Sequence, residues 1–125
     1  MSYTIAQTAA KTGISIFTLR YYDKEGLLPY VKRDEKENRI FTEEDMKWLS
    51  FILCLKNTGM SLKEIRDYIK LCEEGDSTLK QRLMIFHQQK ETVNQRIAEM
   101  EEYKKMIDYK IGFYEKAIQE KSDQG

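Results

Sequence analysis

The chain has 125 residues, enough for one modest core or for a small domain with a helical appendage, but not for two full domains. Lys plus Arg and Asp plus Glu both total 21, so no excess of positive charge indicates a nucleic-acid partner, and any phosphate-binding surface must be local. Residues 1–41 hold seven basic and five acidic residues, a local excess of two positive charges.

The cysteine and proline content indicates the cellular compartment and the fold class. Only Cys54 and Cys72 occur, and no N-terminal stretch combines a charged start with a long apolar run. We therefore expect neither secretion nor a membrane span, and a reducing cytoplasm as the location. One proline and 34% charged residues predict a mainly α fold.

The first 29 residues predict two short helices joined by a turn. Thr4, with Gln7 three residues later, forms a capping box for a helix over Ile5–Thr12, and Gly13 supplies a turn. Ser15 then caps a second helix, which the segment Gly26–Pro29 stops. This spacing is typical of a helix-turn-helix, although a helical hairpin that does not bind DNA has the same pattern of caps and turns.

A two-stranded ribbon is predicted after Pro29. Tyr30–Arg33 and Arg39–Phe41 flank the polar segment Asp34–Asn38, and a hairpin attached to a helix-turn-helix is a wing. Two strands alone are marginal in water, so the ribbon should lean on the helices. The predicted inward residues are Val31, Ile40 and Phe41. A plain surface loop is the alternative.

Two further helices complete a compact unit, predicted to span residues 1–75. Thr42, followed by three acidic residues, begins the third helix, and Gly59 ends it. Its middle, Trp48–Leu55, is apolar on nearly every side, which is typical of a helix buried between other elements. Ser61 opens a fourth helix through another capping box, and Gly75 closes it.

From residue 76 the pattern changes to a heptad repeat. Eleven positions alternate in steps of three and four, and nine of them are apolar; the exceptions are Lys90 and Lys104. The eleven are Leu83, Phe86, Lys90, Val93, Ile97, Met100, Lys104, Ile107, Ile111, Tyr114 and Ile118.

A stripe this long exceeds what a 75-residue domain can cover. It predicts a dimerisation helix over 76–120 that pairs with a second copy, whereas a helix folded back on its own domain would cover only its start. The residues assigned to dimerisation are Leu83, Phe86, Val93, Ile97, Met100, Ile107 and Ile111. Gly112 is expected to bend or end the helix, and residues 121–125 to form a disordered tail.

Taken in this order, the capped helix, the Gly13 turn, Thr18–Asp23, Gly26–Pro29, the ribbon and the heptad tail closely resemble the MerR family of bacterial transcription regulators. The resemblance covers residues 3–118 and is most specific over 18–29. It implies a winged helix-turn-helix domain followed by long helices that join two copies in an antiparallel coiled coil. It also implies that the homodimer binds double-stranded promoter DNA with an overlong spacer. On activation, the dimer distorts this spacer so that RNA polymerase can engage both promoter elements.

The resemblance also assigns DNA contacts. Arg20 and Tyr21 match family positions that touch the DNA backbone, where guanidinium and phenol donors suit phosphate oxygens. Tyr22 is assigned either to the same role or to the core beneath the helix. The resemblance also assigns Phe17 and Thr18 to base edges, with Phe17 in contact with a thymine methyl. It assigns Arg39 and Lys56 to phosphate contacts. The chain departs from the family at Glu37, where wings often have a glycine.

The signal is predicted by elimination and by resemblance. A metal cage needs about three or four Cys or His ligands, and the chain has only Cys54, Cys72 and His87, so neither a metal nor a cofactor is expected. A family subgroup that senses aldehydes and other electrophiles has its cysteine at the position of Cys54. An inert, buried Cys54 is the alternative, and Cys72 is assigned to packing.

Two other classes of function compete with a regulator. An enzyme finds no support, because no nucleophile, base and acid can be assembled from the spacing. A coiled-coil scaffold without DNA binding agrees with the neutral overall charge. Within the regulator class, a noncovalent apolar ligand is the alternative to electrophile sensing.

Overall fold

The structure is a computed structural model that describes residues 1–124. It divides into two units, Met1–Phe86 and the segment that begins at His87. The helices are α1 (Ile5–Thr12), α2 (Ile16–Lys24), α3 (Glu43–Asn57), α4 (Leu62–Glu74) and α5 (Leu79–Gln124), with a 3₁₀ turn at Asp76–Thr78. The strands are β1 (Ser2–Tyr3), β2 (Lys32–Arg33) and β3 (Arg39–Thr42). The mainly α class is confirmed.

Local capping explains where the first four helices begin. Thr4, Ser15, Thr42 and Ser61 are their N-caps, and each side chain accepts a hydrogen bond from a backbone N–H in the first turn. Three of these sites are full capping boxes, with Ser15 the exception. An N-cap of this kind is worth about 1 kcal/mol of helix stability. The predicted starts of α1, α3 and α4 are therefore confirmed.

The predicted ribbon is part of a three-stranded antiparallel sheet in the order β1-β3-β2. Lys32 pairs with Ile40, and Tyr3 pairs with Phe41 on the other side of β3. The strand β1 could not be predicted from the sequence, because two residues are too few to show alternation. The added strand covers one edge of the ribbon, which two strands alone would leave exposed.

The core of the first unit lies where α1 to α4 meet the sheet. Inward orientation is confirmed for Val31 and Phe41, but it is wrong for Ile40, which is half-buried. Neighbouring strand residues face opposite sides, so Ile40 and Phe41 cannot both point inward. The residues with almost no exposure include Leu19, Leu27, Phe41, Leu49, Ile52 and Ile65.

The first unit extends beyond the predicted boundary at residue 75, because the first turns of α5 pack on it. The Phe86 ring lies 5.0 Å from that of Tyr68 and 5.6 Å from that of Phe51, measured between centroids. The half-buried Phe86 ring thus packs against the core of its own unit, and its assignment to dimerisation stays a prediction. An apolar residue at a heptad position can contact a partner helix or pack on its own unit, so spacing alone could not distinguish the two contacts.

The helix α5 continues without interruption from Leu79 to Gln124. Gly112 does not end it, and the predicted disorder is wrong for residues 121–124, which are helical; Gly125 lies outside the described residues. No proline interrupts this segment, and Gln119 donates a hydrogen bond to Asp123 at 3.0 Å across the last turn. In the second unit the heptad residues other than Val93 are exposed along the helix.

Candidate DNA interface

The second helix of the helix-turn-helix, α2, has one buried and one exposed face. Leu19 and Tyr22 point into the core with 1% and 6% exposure, whereas Phe17 is 81% exposed and Tyr21 43% exposed. An exposed phenylalanine at the start of a helix gains nothing from folding, since its apolar surface stays in water. The exposed face of α2 therefore has the composition of a contact surface.

Tyr22 is a correction to the predicted DNA contacts. Its side chain belongs to the core cluster, and burial raises the pKa of its phenol above the ordinary value. Tyr21 and Tyr22 are separated by about 100° around the helix axis, so one can face out while the other faces in. We remove Tyr22 from the DNA-contact set.

Arg20 is available for an external anion. Its side chain is exposed and, among the residues that the structure describes, it forms no hydrogen bond or ion pair. Thr18 has a different position: its hydroxyl and its backbone N–H both lie against the Ser15 hydroxyl, at 2.9 and 3.1 Å. Thr18 is thus partly used in capping the helix on which it lies.

Arg39 is engaged within the protein, contrary to its assignment as a simple phosphate contact. Its Nε and Nη2 donate to the two carboxylate oxygens of Asp23 at 2.9 and 2.6 Å, and its Nη1 donates to the Val31 carbonyl. A paired guanidinium of this kind has less charge to offer a phosphate. We call these contacts the Asp23–Arg39 clamp; they join α2 to β3 and to the residue before β2.

The wing turn is organised by one carboxylate. Oδ1 of Asp34 accepts from the backbone N–H groups of Lys36 and Asn38, both at 2.9 Å. Glu37 has φ of +64°, a conformation that glycine adopts with less strain. The family's preference for glycine here is therefore explained by the backbone of this chain. Arg33 and Lys32 on β2 remain exposed.

A cleft of about 470 Å³ separates α1 and α2 from the wing. Arg20 lines one wall, Arg33 and Arg39 line the other, and the capping residue Thr4 lies at one end. The N-terminus of α1 adds partial positive charge on that side. The lining has three arginines and three carboxylates, those of Asp23, Asp34 and Glu37, so the cleft has no net charge. Arg33 and Arg39 are paired with these carboxylates, and the positive charge available to a phosphate is that of Arg20.

The remaining predicted residues lie on α3. Cys54 is exposed rather than buried, and Lys56 is half-buried in the last turn. Among the described residues no group of three His, Cys, Asp or Glu side chains could hold a metal ion. In the same part of the chain, no helix is both long and apolar enough to cross a membrane.

Comparison with known families decides the classification. A profile described as MerR HTH family regulatory protein matches residues 3–72, and one described as MerR, DNA binding matches residues 46–109. The chain belongs to the MerR family. The MerR resemblance inferred from Thr18–Pro29 and the heptad tail is confirmed.

Relatives within the MerR family are transcriptional regulators. An uncharacterized HTH-type transcriptional regulator of Haemophilus influenzae is 52% identical over 94% of this chain and 87% of its own length. The regulator AdhR of Bacillus subtilis is 45% identical over 62% of this chain and 56% of its own length.

Solved MerR structures share the fold. A crystal structure of HiNmlR, described as a MerR family regulator lacking the sensor domain and bound to promoter DNA, matches with a TM-score of 0.87 and 52% identity, covering 94% of this chain and 93% of that one. A MerR regulator from Bacillus thuringiensis matches with a TM-score of 0.80 and 47% identity, covering 90% and 98%.

The sequence analysis missed Asp23 as a functional residue. An acidic side chain beside DNA contacts is unfavourable unless it is paired. Asp23 follows directly after Arg20, Tyr21 and Tyr22. A carboxylate directly beside the predicted phosphate contacts was the available signal. Its partner Arg39, 16 residues away, could not be assigned without the fold.

Proposed function

We propose that this chain is a promoter-binding transcriptional regulator that acts as a homodimer. The observation that carries the proposal is the exposed face of α2, with Phe17, Arg20 and Tyr21, next to a wing that the Asp23–Arg39 clamp holds in place. An exposed helix of this composition suits the major groove, and the wing suits the adjacent backbone.

Within this surface the proposed roles differ. Arg20 and Tyr21 donate to phosphate oxygens and so set the position of α2, which adds affinity for any sequence. Phe17, at the start of the helix, packs against a thymine methyl and so adds preference for certain bases. Lys32 and Lys56 supply further positive charge. Arg33, which donates to the Glu37 carbonyl at 3.1 Å and lies 3.9 Å from its carboxylate, and Arg39 act mainly by positioning the wing.

The dimer is proposed from the apolar stripe of α5. Ile97, Met100 and Ile107 are 55%, 68% and 61% exposed in the single chain, and a row of such residues over several turns requires a partner. An antiparallel pair of these helices fixes the distance between two DNA-binding units. Two fixed contacts can offset the cost of distorting a site, on the order of 1 to 6 kcal/mol.

The proposed output is activation by distortion. The dimer bends and untwists a promoter with an overlong spacer, and RNA polymerase bound to the same promoter then engages both elements. The MerR relatives are regulators rather than enzymes, and we propose that this chain has no catalytic activity of its own. We also propose a cytoplasmic location, because the partner is promoter DNA.

Salt dependence of promoter binding tests the proposal. In a titration of the duplex upstream of its own gene, we expect Arg20→Ala to weaken binding to every sequence and to reduce the slope of log affinity against log salt by about 1. Arg20→Lys retains the charge and should preserve the slope. Lys63→Ala, which removes a cation paired with Asp67 on α4, serves as the control. An unchanged slope in Arg20→Ala would rule out the phosphate contact.

For the signal, we propose that Cys54 is the sensor. Its exposure makes the sulfur accessible to an electrophile in the single chain, and Lys47 and Lys56 lie on the same helix. The thiolate adds to an electron-poor carbon of a quinone; a C–S bond forms, the electron pair moves to the quinone oxygen, and that oxygen takes up a proton. The lost thiol and the added ring change the packing around α3.

Matched cysteine variants test this sensor. We expect Cys54→Ser to bind DNA as the parent does but to lose the transcriptional response to quinone or aldehyde. Cys72→Ser, which removes the half-buried cysteine, should retain the response. A full response in Cys54→Ser would eliminate thiol sensing at this position.

A further inference from the structure

A second, smaller cavity in the first unit has an unusual lining. It has a volume of about 300 Å³ and lies between the start of α3, the second half of α4 and the segment before β2. Three aromatic side chains line it, from Tyr30, Trp48 and Tyr68, and its apolar floor includes Val31 and Ile69, which are 4% and 5% exposed. None of the residues discussed as DNA contacts belongs to this lining.

The charged groups at this cavity have one sign. Glu44 and Asp45 line it, and no basic residue does. The Asp45 carboxylate accepts a hydrogen bond from the Thr42 backbone N–H at 2.9 Å, and no cation lines the cavity beside it. The ion-pair partner of Glu44 is Lys47, at 3.5 Å between Nζ and Oε1. The Glu44 side chain is 84% exposed and that of Lys47 is 77% exposed. Such an exposed pair is weak and is easily exchanged for another cation.

The rings of Tyr68 and Trp48 are neutral at physiological pH. Burial, followed by the hydrogen bond that its phenol forms with the Cys72 thiol, raises the pKa of Tyr68 to about 12. Trp48 is held by its Nε1, which donates to the Leu27 carbonyl at 2.8 Å, and its ring lies 6.4 Å from that of Tyr68 between centroids. Neutral, fixed aromatic rings beside carboxylates are the groups that bind organic cations.

We propose that this cavity binds a small lipophilic cation, of the quaternary ammonium class. The apolar substituents of the cation contact Val31 and Ile69, its positive charge faces the rings of Trp48 and Tyr68, and Glu44 and Asp45 supply the opposing charge. A neutral molecule of the same shape gains only the apolar contact, and an anion is repelled. Binding itself does not depend on the proposed function.

A contact pathway links the cavity to the DNA-binding surface, and this link rests on the proposed function. Val31 lines the cavity, and its carbonyl accepts a hydrogen bond from Arg39, which is paired with Asp23 on α2. A cation that displaces residue 31 alters the Asp23–Arg39 clamp and hence the wing. The cation and the promoter then change each other's affinity by the same factor.

Fluorescence tests the binding directly, because Trp48 is the single tryptophan of the chain. The full chain is titrated with benzyltrimethylammonium and, separately, with neopentylbenzene, its neutral isostere, and calorimetry measures both affinities. We expect the cation to change the emission of Trp48 in a saturable way and to bind at least about 5-fold more tightly than the isostere. Equal affinities, or no binding of the cation by either method, would overturn the proposal.

A matched pair of variants tests the acidic lining. Glu44→Gln should weaken binding of benzyltrimethylammonium by about 2- to 5-fold, the size expected for one exposed charge contact. Glu73→Gln removes the same charge from an exposed position on α4 outside the lining and should leave the affinity unchanged. Equal affinities in the two variants would contradict a role for Glu44.

The link to DNA is tested separately. Adding benzyltrimethylammonium to the promoter titration should change the affinity for DNA at least 2-fold in the parent and less in Glu44→Gln. Cation binding without that change would remove the regulatory link but leave the cation site. Failure of the protein to bind the promoter at all would instead remove the proposed function, while the fluorescence result would stand.

Discussion

Two helical segments of this molecule both carry rows of apolar side chains but have different surroundings. In α3, Leu49, Ile52 and Leu55 are at most 3% exposed, because α4, α1 and the sheet cover them. In the second unit, Ile97 and Ile107 of α5 are 55% and 61% exposed. An apolar helix pattern therefore indicates that a helix face must be buried, but it does not indicate which surface covers that face. The first unit meets the need within one chain, and we propose that a second chain meets it for α5.

The largest expected effect comes from placing a charge on the α5 stripe. Ile107→Asp should convert the dimer to a monomer, because each dimer would bury two carboxylates at a cost on the order of 3 kcal/mol each. Promoter binding should fall by more than about 100-fold, which corresponds to a loss of about 3 kcal/mol. Analytical ultracentrifugation and gel-shift titration measure the two effects.

The control for this variant is Ala98→Asp, which adds the same charge to α5 outside the heptad positions. It should remain dimeric and bind the promoter as the parent does. Circular dichroism should show the first unit folded in both variants. A dimeric Ile107→Asp protein would mean that the stripe is covered in another way.

An intermediate effect is expected at the clamp in the first unit. Asp23→Asn removes a negative charge, so simple electrostatics predicts tighter DNA binding. We expect the opposite, a loss of about 10-fold, because Arg39 loses a paired carboxylate contact worth about 1.5 to 3 kcal/mol and the wing loses its position. The promoter titration distinguishes these outcomes by sign.

Glu35→Gln is the matched change for Asp23→Asn, since Glu35 is exposed at the wing tip. It removes the same charge without touching the clamp and should bind DNA equally or slightly more tightly. If Asp23→Asn also bound more tightly, Arg39 would be a direct phosphate contact that Asp23 merely weakens.

The smallest expected effect concerns the stability of the wing turn. Glu37→Gly should raise the free energy of unfolding by about 0.5 to 1 kcal/mol, since glycine adopts the φ of +64° found here without strain. Thermal denaturation measures the change. Glu35→Gly, a position without positive φ, should be neutral or destabilising; if it stabilised the protein equally, the backbone explanation would be wrong.

Local signals in the sequence predicted much of the fold. Capping residues such as Thr4, Thr42 and Ser61 gave the helix starts, because a cap is formed by residues three apart. The wing followed from Val31 and Phe41 around a polar turn. These features depend on neighbours in the chain, and so they can be recognised without the fold.

Features that depend on distant contacts were missed or wrong. Tyr22 turned inward because of partners elsewhere in the chain, and Arg39 was paired with Asp23 rather than free. The strand β1 forms only because β3 offers an edge. Spacing gives the face on which a side chain lies, but the packing of the unit decides whether that face is buried.

The account rests on two DNA-binding units joined by α5, and the stoichiometry of the promoter complex tests this most directly. Sedimentation equilibrium of the complex with the duplex upstream of its own gene gives the number of chains bound. We predict two chains per duplex for the parent. One chain bound to the duplex with the affinity of the parent would contradict the account.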